Sequence, residues 1–286
     1  MDKNLKRKIK TAQLQMPVID NINKAEIYLN EKISEAAEQG ADLVMLPEMF
    51  CCPYETLEFP KKAEAEGGSW HQLCAHLAAV NNVYLAAGSM PETDLVTGKI
   101  YNTAYVFDRN GAQIAKHRKM HLFDIDVNGG QYFKESDTLS AGDSITVFDT
   151  EFGRLGLCVC YDIRFTEITR LMALQGAQMI LVPAAFNMTT GPTHWELTLR
   201  AQAVLNQVYV LGTSTARDEG ASYHAWGHTL LCDPWGSVIG ELDEKEGMLL
   251  LESDLKRISD IREQLPLLRH RRTDIYELNI IDKKDV

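Results

Sequence analysis

A chain of 286 residues, 45% hydrophobic and 24% charged, has the balance of a folded globular protein with a sizeable core, which excludes a disordered or low-complexity chain. Its 40 acidic against 29 basic side chains leave a formal charge of −11, which repels phosphate backbones and anionic membrane surfaces and argues against a nucleic-acid partner. Charged residues interrupt everything before Thr11, no apolar run approaches a membrane span, and 6 cysteines without regular spacing point to reduced thiols in a cytoplasm.

The basic cluster Lys3, Lys6, Arg7, Lys8 and Lys10 reads as a solvated N-terminal tail. In chain order the periodicity then predicts a strand over 8–16, a helix over 22–39, a strand over 41–46, a helix over 69–81 and strands over 82–90 and 103–108. Asp108-Arg109-Asn110-Gly111 is a tight turn into a hairpin strand over 112–116. The weakly periodic stretch 119–142, rich in His, Asp, Asn and Gly, has the length of a functional loop. Beyond it come a strand over 154–160, a helix over 164–175, a strand over 178–183, a helix over 194–206, a strand over 208–213, a turn at Asp233-Pro234-Trp235-Gly236 and a strand over 248–253. Alternating helices and strands imply α/β layering, and the hairpins make the sheet mixed. The tail after Arg257 is helical to Gln264, then carries Pro266 and the basic run 269–272, and reads as packing on a partner subunit. No Pro-rich linker, repeat or low-complexity stretch marks a boundary, so residues 1–286 read as one domain.

The strand over 154–160 runs straight into Tyr161-Asp162-Ile163-Arg164-Phe165 and a helix, which sets Cys160 on a strand-to-helix turn. Such a turn exposes the thiol, lets the helix N-terminus favour thiolate and aims the Tyr161 N–H at a developing oxyanion. Taken alone, a free cysteine is better read as a core thiol. Cys158 has no partner at metal-ligand spacing and reads as strand core, and Cys51 and Cys52 read as packing residues near a site. A thiol nucleophile needs a base, and Leu46-Pro47-Glu48-Met49-Phe50 places a carboxylate at the end of a strand, where α/β proteins build sites. The run Lys116-His117-Arg118-Lys119-Met120-His121 offers a cation, and spacing does not choose among Lys116, Arg118 and Lys119. No Gly-rich phosphate loop or ligand cluster calls for a cofactor or a metal.

LPEMF around Glu48, HRKMHLFDID around Lys119 and CYDIRF around Cys160, in that order, resemble the nitrilase or carbon–nitrogen hydrolase superfamily throughout the chain. The resemblance implies a Glu-Lys-Cys triad with Glu48 as general base, Lys119 as electrophilic stabiliser and Cys160 as nucleophile. It places a second glutamate at Glu135, which orients the substrate or assists Lys119. It also implies a four-layer αββα sandwich over about residues 7–275, and a homodimer or larger homo-oligomer. Within the superfamily, HLFDID, the 186–210 segment FNMTTGPTHWELTLRAQAVLNQVYV and ARDEGASYHAWGHT from Ala216 are similar to the omega-amidase branch, which also resembles deaminated-glutathione amidases. Omega-amidases cleave 2-oxo acid monoamides such as 2-oxoglutaramate, releasing ammonia. Arg164 would then fork the substrate carboxylate, and Phe186, Thr190 and Tyr54 would complete the pocket. Two departures from the family pattern are visible: Cys158-Val159 where many members have Gly-Ile, and Thr166 where relatives frequently have proline or alanine. The same triad serves N-carbamoyl amidohydrolases and nitrilases, and a non-catalytic scaffold of this fold is the reading from a different class.

Overall fold

The computed structural model describes residues 6–128 and 132–281; Lys3 of the basic cluster and residues 129–131 of the long loop lie outside them. Among the described residues two six-stranded sheets and one small hairpin form. The first sheet takes β1 (Lys8–Gln15), β2 (Leu43–Met45), β3 (Tyr84–Thr93), β4 (Ile100–Phe107), β5 (Gln113–Arg118) and β14 (Gly247–Asp254), in the order β14-β1-β2-β3-β4-β5. The hairpin pairs β6 (Asp124–Asp126) with β7 (Tyr132–Lys134). The second sheet takes β8 (Thr146–Thr150), β9 (Gly153–Leu157), β10 (Met179–Ala184), β11 (Tyr209–Ser214), β12 (Leu230–Cys232) and β13 (Val238–Glu241), in the order β13-β12-β11-β10-β9-β8. Each sheet has a parallel triple at its centre, β1-β2-β3 and β9-β10-β11, flanked by antiparallel strands.

The layering follows from side-chain alternation. Ile9, Leu43, Met45, Ala86, Ala104 and Val106 of the first sheet share one buried cluster with the second sheet. Their neighbours Ala12, Val44, Leu85, Ala87, Tyr105 and Phe107 point the other way, onto α1 (Ile22–Glu38) and α3 (Ser69–Asn81). The short helix α2 (Phe59–Lys62) lies between these two in the chain. On the far side α4 (Thr166–Leu174) and α5 (Gly191–Asn206) bury Ile168, Met172, Trp195, Leu199 and Ala203 against the second sheet. This is the four-layer αββα sandwich the family resemblance implied. Two buried glutamines tie the sheets. Gln13 Nε2 of β1 donates to Gly212 O at 2.9 Å and Leu230 O at 3.2 Å, and the Thr229 N–H donates to Gln15 Oε1 at 2.8 Å.

Three predicted boundaries shift for identifiable reasons. The strand expected to reach Cys160 stops at Leu157, and the helix expected from Arg164 starts at Thr166, because a 3₁₀ turn, Cys160–Arg164, intervenes. The helix expected from His194 starts at Gly191: Pro192 falls in its first turn, where a missing N–H costs nothing. Inside the long loop lie the β6-β7 hairpin and a second 3₁₀ turn, Glu135–Asp137. The tail carries α6 (Lys256–Gln264). Among the described residues no helix is long and apolar enough to cross a membrane.

Candidate active site

Glu48 follows β2, Lys119 follows β5, and Cys160 follows β9, so loops at the ends of three strands drawn from both sheets bring the triad together. The backbone there is tightly held. Met49 and Cys160 take φ of 50° and 48°, a left-handed conformation that costs a residue with a side chain of order 1 kcal/mol or more. Gly88 sits at a register shift in β3, with φ 29°, and a Cβ there would meet Pro47 O at 2.0 Å; only glycine lets this strand pass the Glu48 loop. Its neighbour Ser89 Oγ accepts the Met49 N–H at 3.1 Å. Lys119 is fixed at its main chain, donating to Asn102 O at 2.8 Å and accepting from the Gly142 N–H at 2.8 Å.

Glu48, Lys119 and Glu135 are all fully buried. Lys119 Nζ donates to Glu48 Oε1 at 2.8 Å, to Glu135 at 2.9 Å and 3.0 Å, and to the Tyr54 hydroxyl at 3.3 Å. Burial alone would pull the ammonium down; the carboxylates of Glu135 and Glu48 outweigh it and hold Lys119 firmly protonated. Glu135 is anchored further by the Phe123 N–H at 2.6 Å. Glu48 behaves differently. Burial pushes its carboxyl up, against the pull of Lys119, and its Oε2 is buried with no conventional hydrogen-bond partner. The Cys160 thiol is set against this carboxylate.

Cys160 corrects the sequence reading. It is 4% exposed rather than standing free, and it opens a short 3₁₀ turn rather than an α-helix. Burial and the adjacent Glu48 carboxylate push its thiol well above the ordinary cysteine range, against Lys119 and a main-chain hydrogen bond at Ala185. The resting group is therefore a thiol, not a thiolate. Cys158, Cys51 and Cys52 are buried in the core, and all six cysteines are free.

A second buried polar cluster was not anticipated. Asp162, fully buried two residues past Cys160, accepts His117 Nε2 at 3.0 Å, His121 Nδ1 at 2.8 Å, the His121 N–H at 2.8 Å and the Val159 N–H at 3.0 Å. Burial pushes this carboxyl up, but the two histidines and the Val159 N–H hold it well below the usual carboxylate range. Since His117 and His121 flank Lys119 and Val159 precedes Cys160, this one carboxylate ties the lysine's segment to the cysteine's turn. An acid beside the cysteine and two histidines around the lysine were the sequence signal for it.

Arg164, Tyr161, Phe186 and Thr190 line one narrow pocket with Cys160, Phe123, Ala185 and Tyr223, with a volume of only about 10 Å³. The Arg164 guanidinium lies 4.5 Å from the Phe186 ring centroid and donates from Nη1 to His194 Nδ1 at 3.0 Å; its buried Nε has no partner. The Thr190 hydroxyl donates to Asn187 Oδ1 at 3.0 Å. Tyr54 is the residue placed otherwise than expected: its hydroxyl lies 2.8 Å from Glu135 Oε1 and 3.2 Å from Glu48 Oε1, inside the cluster, although its ring reaches the neighbouring cavities. Asn102 was missed altogether. Its Nδ2 bridges Glu48 Oε1 at 2.8 Å and Glu135 Oε1 at 3.3 Å, and a polar residue inside the apolar run of β4 was its only trace in the sequence. Among the described residues no group of three or more His, Cys, Asp or Glu side chains is arranged to hold a metal ion.

The class follows from the family this arrangement belongs to, the hydrolases of carbon–nitrogen bonds. Residues 10–263 match the carbon-nitrogen hydrolase family, and the chain belongs to it; it is an amidase. The chain is 49% identical to omega-amidase NIT2-A of Xenopus laevis over 266 residues, 93% of this chain and 94% of that protein. It is 47% identical to omega-amidase NIT2 of Homo sapiens over 270 residues, 94% and 96% of the two chains. Among solved structures, Saccharomyces cerevisiae Nit3, a member of branch 10 of the nitrilase superfamily, aligns with a TM-score of 0.85 at 38% identity, covering 95% of this chain and 99% of that one. The C. elegans NitFhit protein aligns with a TM-score of 0.88 at 32% identity, covering 97% of this chain and 68% of that one.

Proposed function

We propose that this amidase hydrolyses the ω-amide of a 2-oxo acid, such as 2-oxoglutaramate, through a thioester on Cys160. Glu48 takes the thiol proton as sulfur attacks the amide carbonyl, and Lys119 with the Tyr161 N–H holds the oxyanion. Glu48 returns the proton to the departing nitrogen, then activates the water that cleaves the thioester. Glu135 and Tyr54 hold Lys119 in line for this, and Tyr54 also lines the cavity beside Glu48. The enzyme works as a single-domain homodimer or larger assembly in the cytoplasm, with the C-terminal tail at the subunit interface.

The observation that carries the substrate class is Arg164. Among the described residues this guanidinium has no acidic partner, and its Nε is buried and unpaired beside Cys160. A buried, incompletely bonded cation calls for an anion, and a carboxylate fits its fork. Binding lifts the guanidinium from the Phe186 ring and opens the pocket, with Phe186 and Thr190 as its walls. The test is ammonia release from 2-oxoglutaramate, an uncharged primary amide of the same length, a nitrile and an N-carbamoyl amino acid. The 2-oxo acid amide is expected to lead, and Arg164→Gln to lower its kcat/KM relative to the uncharged amide roughly 10- to 100-fold. An unchanged ratio, or preference for the nitrile or carbamoyl compound, contradicts the reading.

A further inference from the structure

A second, much larger cavity, of about 270 Å³, is lined in part by Glu48. Ala185 and Tyr223 line both this cavity and the Arg164 pocket, so the two meet around the Glu48–Cys160 pair. Their electrostatics are opposite. The Arg164 pocket holds a cation and no carboxylate, whereas the larger cavity is lined by Glu48, Asp20, Glu55 and Asp218 and, among the described residues, by no lysine, arginine or histidine. Asp20 is paired with Lys62 at 2.9 Å. Among the described residues Glu55 Oε1 accepts the Ser222 hydroxyl at 2.6 Å and Asp218 Oδ1 the Gly220 N–H at 2.8 Å, and neither carboxylate is paired with a basic side chain. At the cavity's inner wall stands the fully buried Glu48, with Oε2 lacking a conventional partner.

The two halves of an amide have opposite charges once cleaved. A 2-oxo acid product is anionic and suits Arg164; the released amine becomes cationic and suits the acidic cavity. Ammonia needs on the order of 30 Å³, the share of one water in the liquid, a small part of this volume. Building on the proposed mechanism, we infer that the acidic cavity is the subsite for the amine half of the substrate, and that the enzyme hydrolyses N-substituted ω-amides whose amine carries a positive charge. The balance is the ordinary one. The S–C bond forms as the C–N bond breaks, the thiol proton passes through Glu48 to nitrogen, and one water converts the thioester to acid and free thiol.

The test compares kcat/KM for 2-oxoglutaramate and three of its N-substituted forms: 2-(trimethylammonio)ethyl, its neutral isostere 3,3-dimethylbutyl, and 2-carboxyethyl. The cationic amide is expected to be hydrolysed about fivefold better than the neutral isostere and at least about tenfold better than the anionic one. In the Glu55→Gln, Asp218→Asn double variant the cationic-to-neutral ratio should fall to about one, and a general loss of activity cancels in that ratio. Turnover of the primary amide with none of the substituted ones overturns this inference alone, as does equal turnover of all three or a ratio unmoved in the variant. Failure of the primary amide as well overturns the mechanism it rests on.

Discussion

Glu48 and Asp162 are two carboxylates on the same site, both fully buried, and they are driven in opposite directions. Burial penalises the ionised form of each. Asp162 receives two histidine side chains and two main-chain N–H groups, shared between both its oxygens, and this full set of donors holds it ionised. Glu48 receives Lys119, Asn102 and Tyr54 all on Oε1 and nothing conventional on Oε2, so burial prevails and its carboxyl is pushed up. The difference lies in how the donors are shared out. A carboxylate with both oxygens satisfied acts as a joint in the structure; one with an oxygen left open beside a thiol is poised to take a proton.

The sharpest break between the two comes from removing each charge. Glu48→Gln is expected to lower kcat by 10²- to 10⁴-fold, the usual share of a general base, yet to raise Tm by roughly 2–4 °C by relieving an under-satisfied buried charge. A raised folded-state pKa means that Glu48 weakens the fold as pH climbs above the ordinary glutamate value of about 4.3, so the stabilisation should vanish below that pH. A Tm below wild type at neutral pH would remove the contrast.

Asp162→Asn should do the reverse, costing about 1–3 kcal/mol of stability because it leaves buried histidine and main-chain donors short of the acceptor they share. Asp162 has a depressed folded-state pKa, so its contribution is complete above about pH 4 and is lost as pH falls towards that depressed value. The variant should lose that part of the acid limb of the stability curve, and thermal melts from pH 3 to 7 would show it. Its kcat should fall while the pH dependence of activity keeps the wild-type midpoint, the mark of a positioning residue. The smallest effect is expected at Tyr54→Phe, which takes one hydroxyl from Glu135 and Glu48 and should lower kcat by about 5- to 20-fold with KM little changed. A larger rise in KM than fall in kcat would return Tyr54 to the substrate pocket.

Much of this was legible in the sequence. Hydrophobic alternation located the central strands, since each faces a helix layer on one side and the other sheet on the other. Glu48, Lys119 and Cys160 were named only through the resemblance of their motifs to a family, since strand-end position alone left Cys160 a core thiol and did not choose among Lys116, Arg118 and Lys119. What stayed hidden were cross-chain partners, as with Asn102 bridging to residues 54 and 33 positions away. The exposure of Cys160 was misread for a related reason. A strand-to-helix turn fixes a backbone path, whereas burial depends on segments distant in the chain, here Phe123, Ala185, Phe186 and Tyr223, which line the pocket with Cys160.

In the proposed mechanism the Cys160 thiol carries the acyl group. Acid-quenched mass spectrometry during turnover of 2-oxoglutaramate, with peptide mapping, tests it most directly. A thioester mechanism gives an adduct equal to the substrate less ammonia, on Cys160 and on none of the other five cysteines, and no adduct or ammonia release in Cys160→Ala. An adduct elsewhere, or ammonia release surviving in Cys160→Ala, would contradict it.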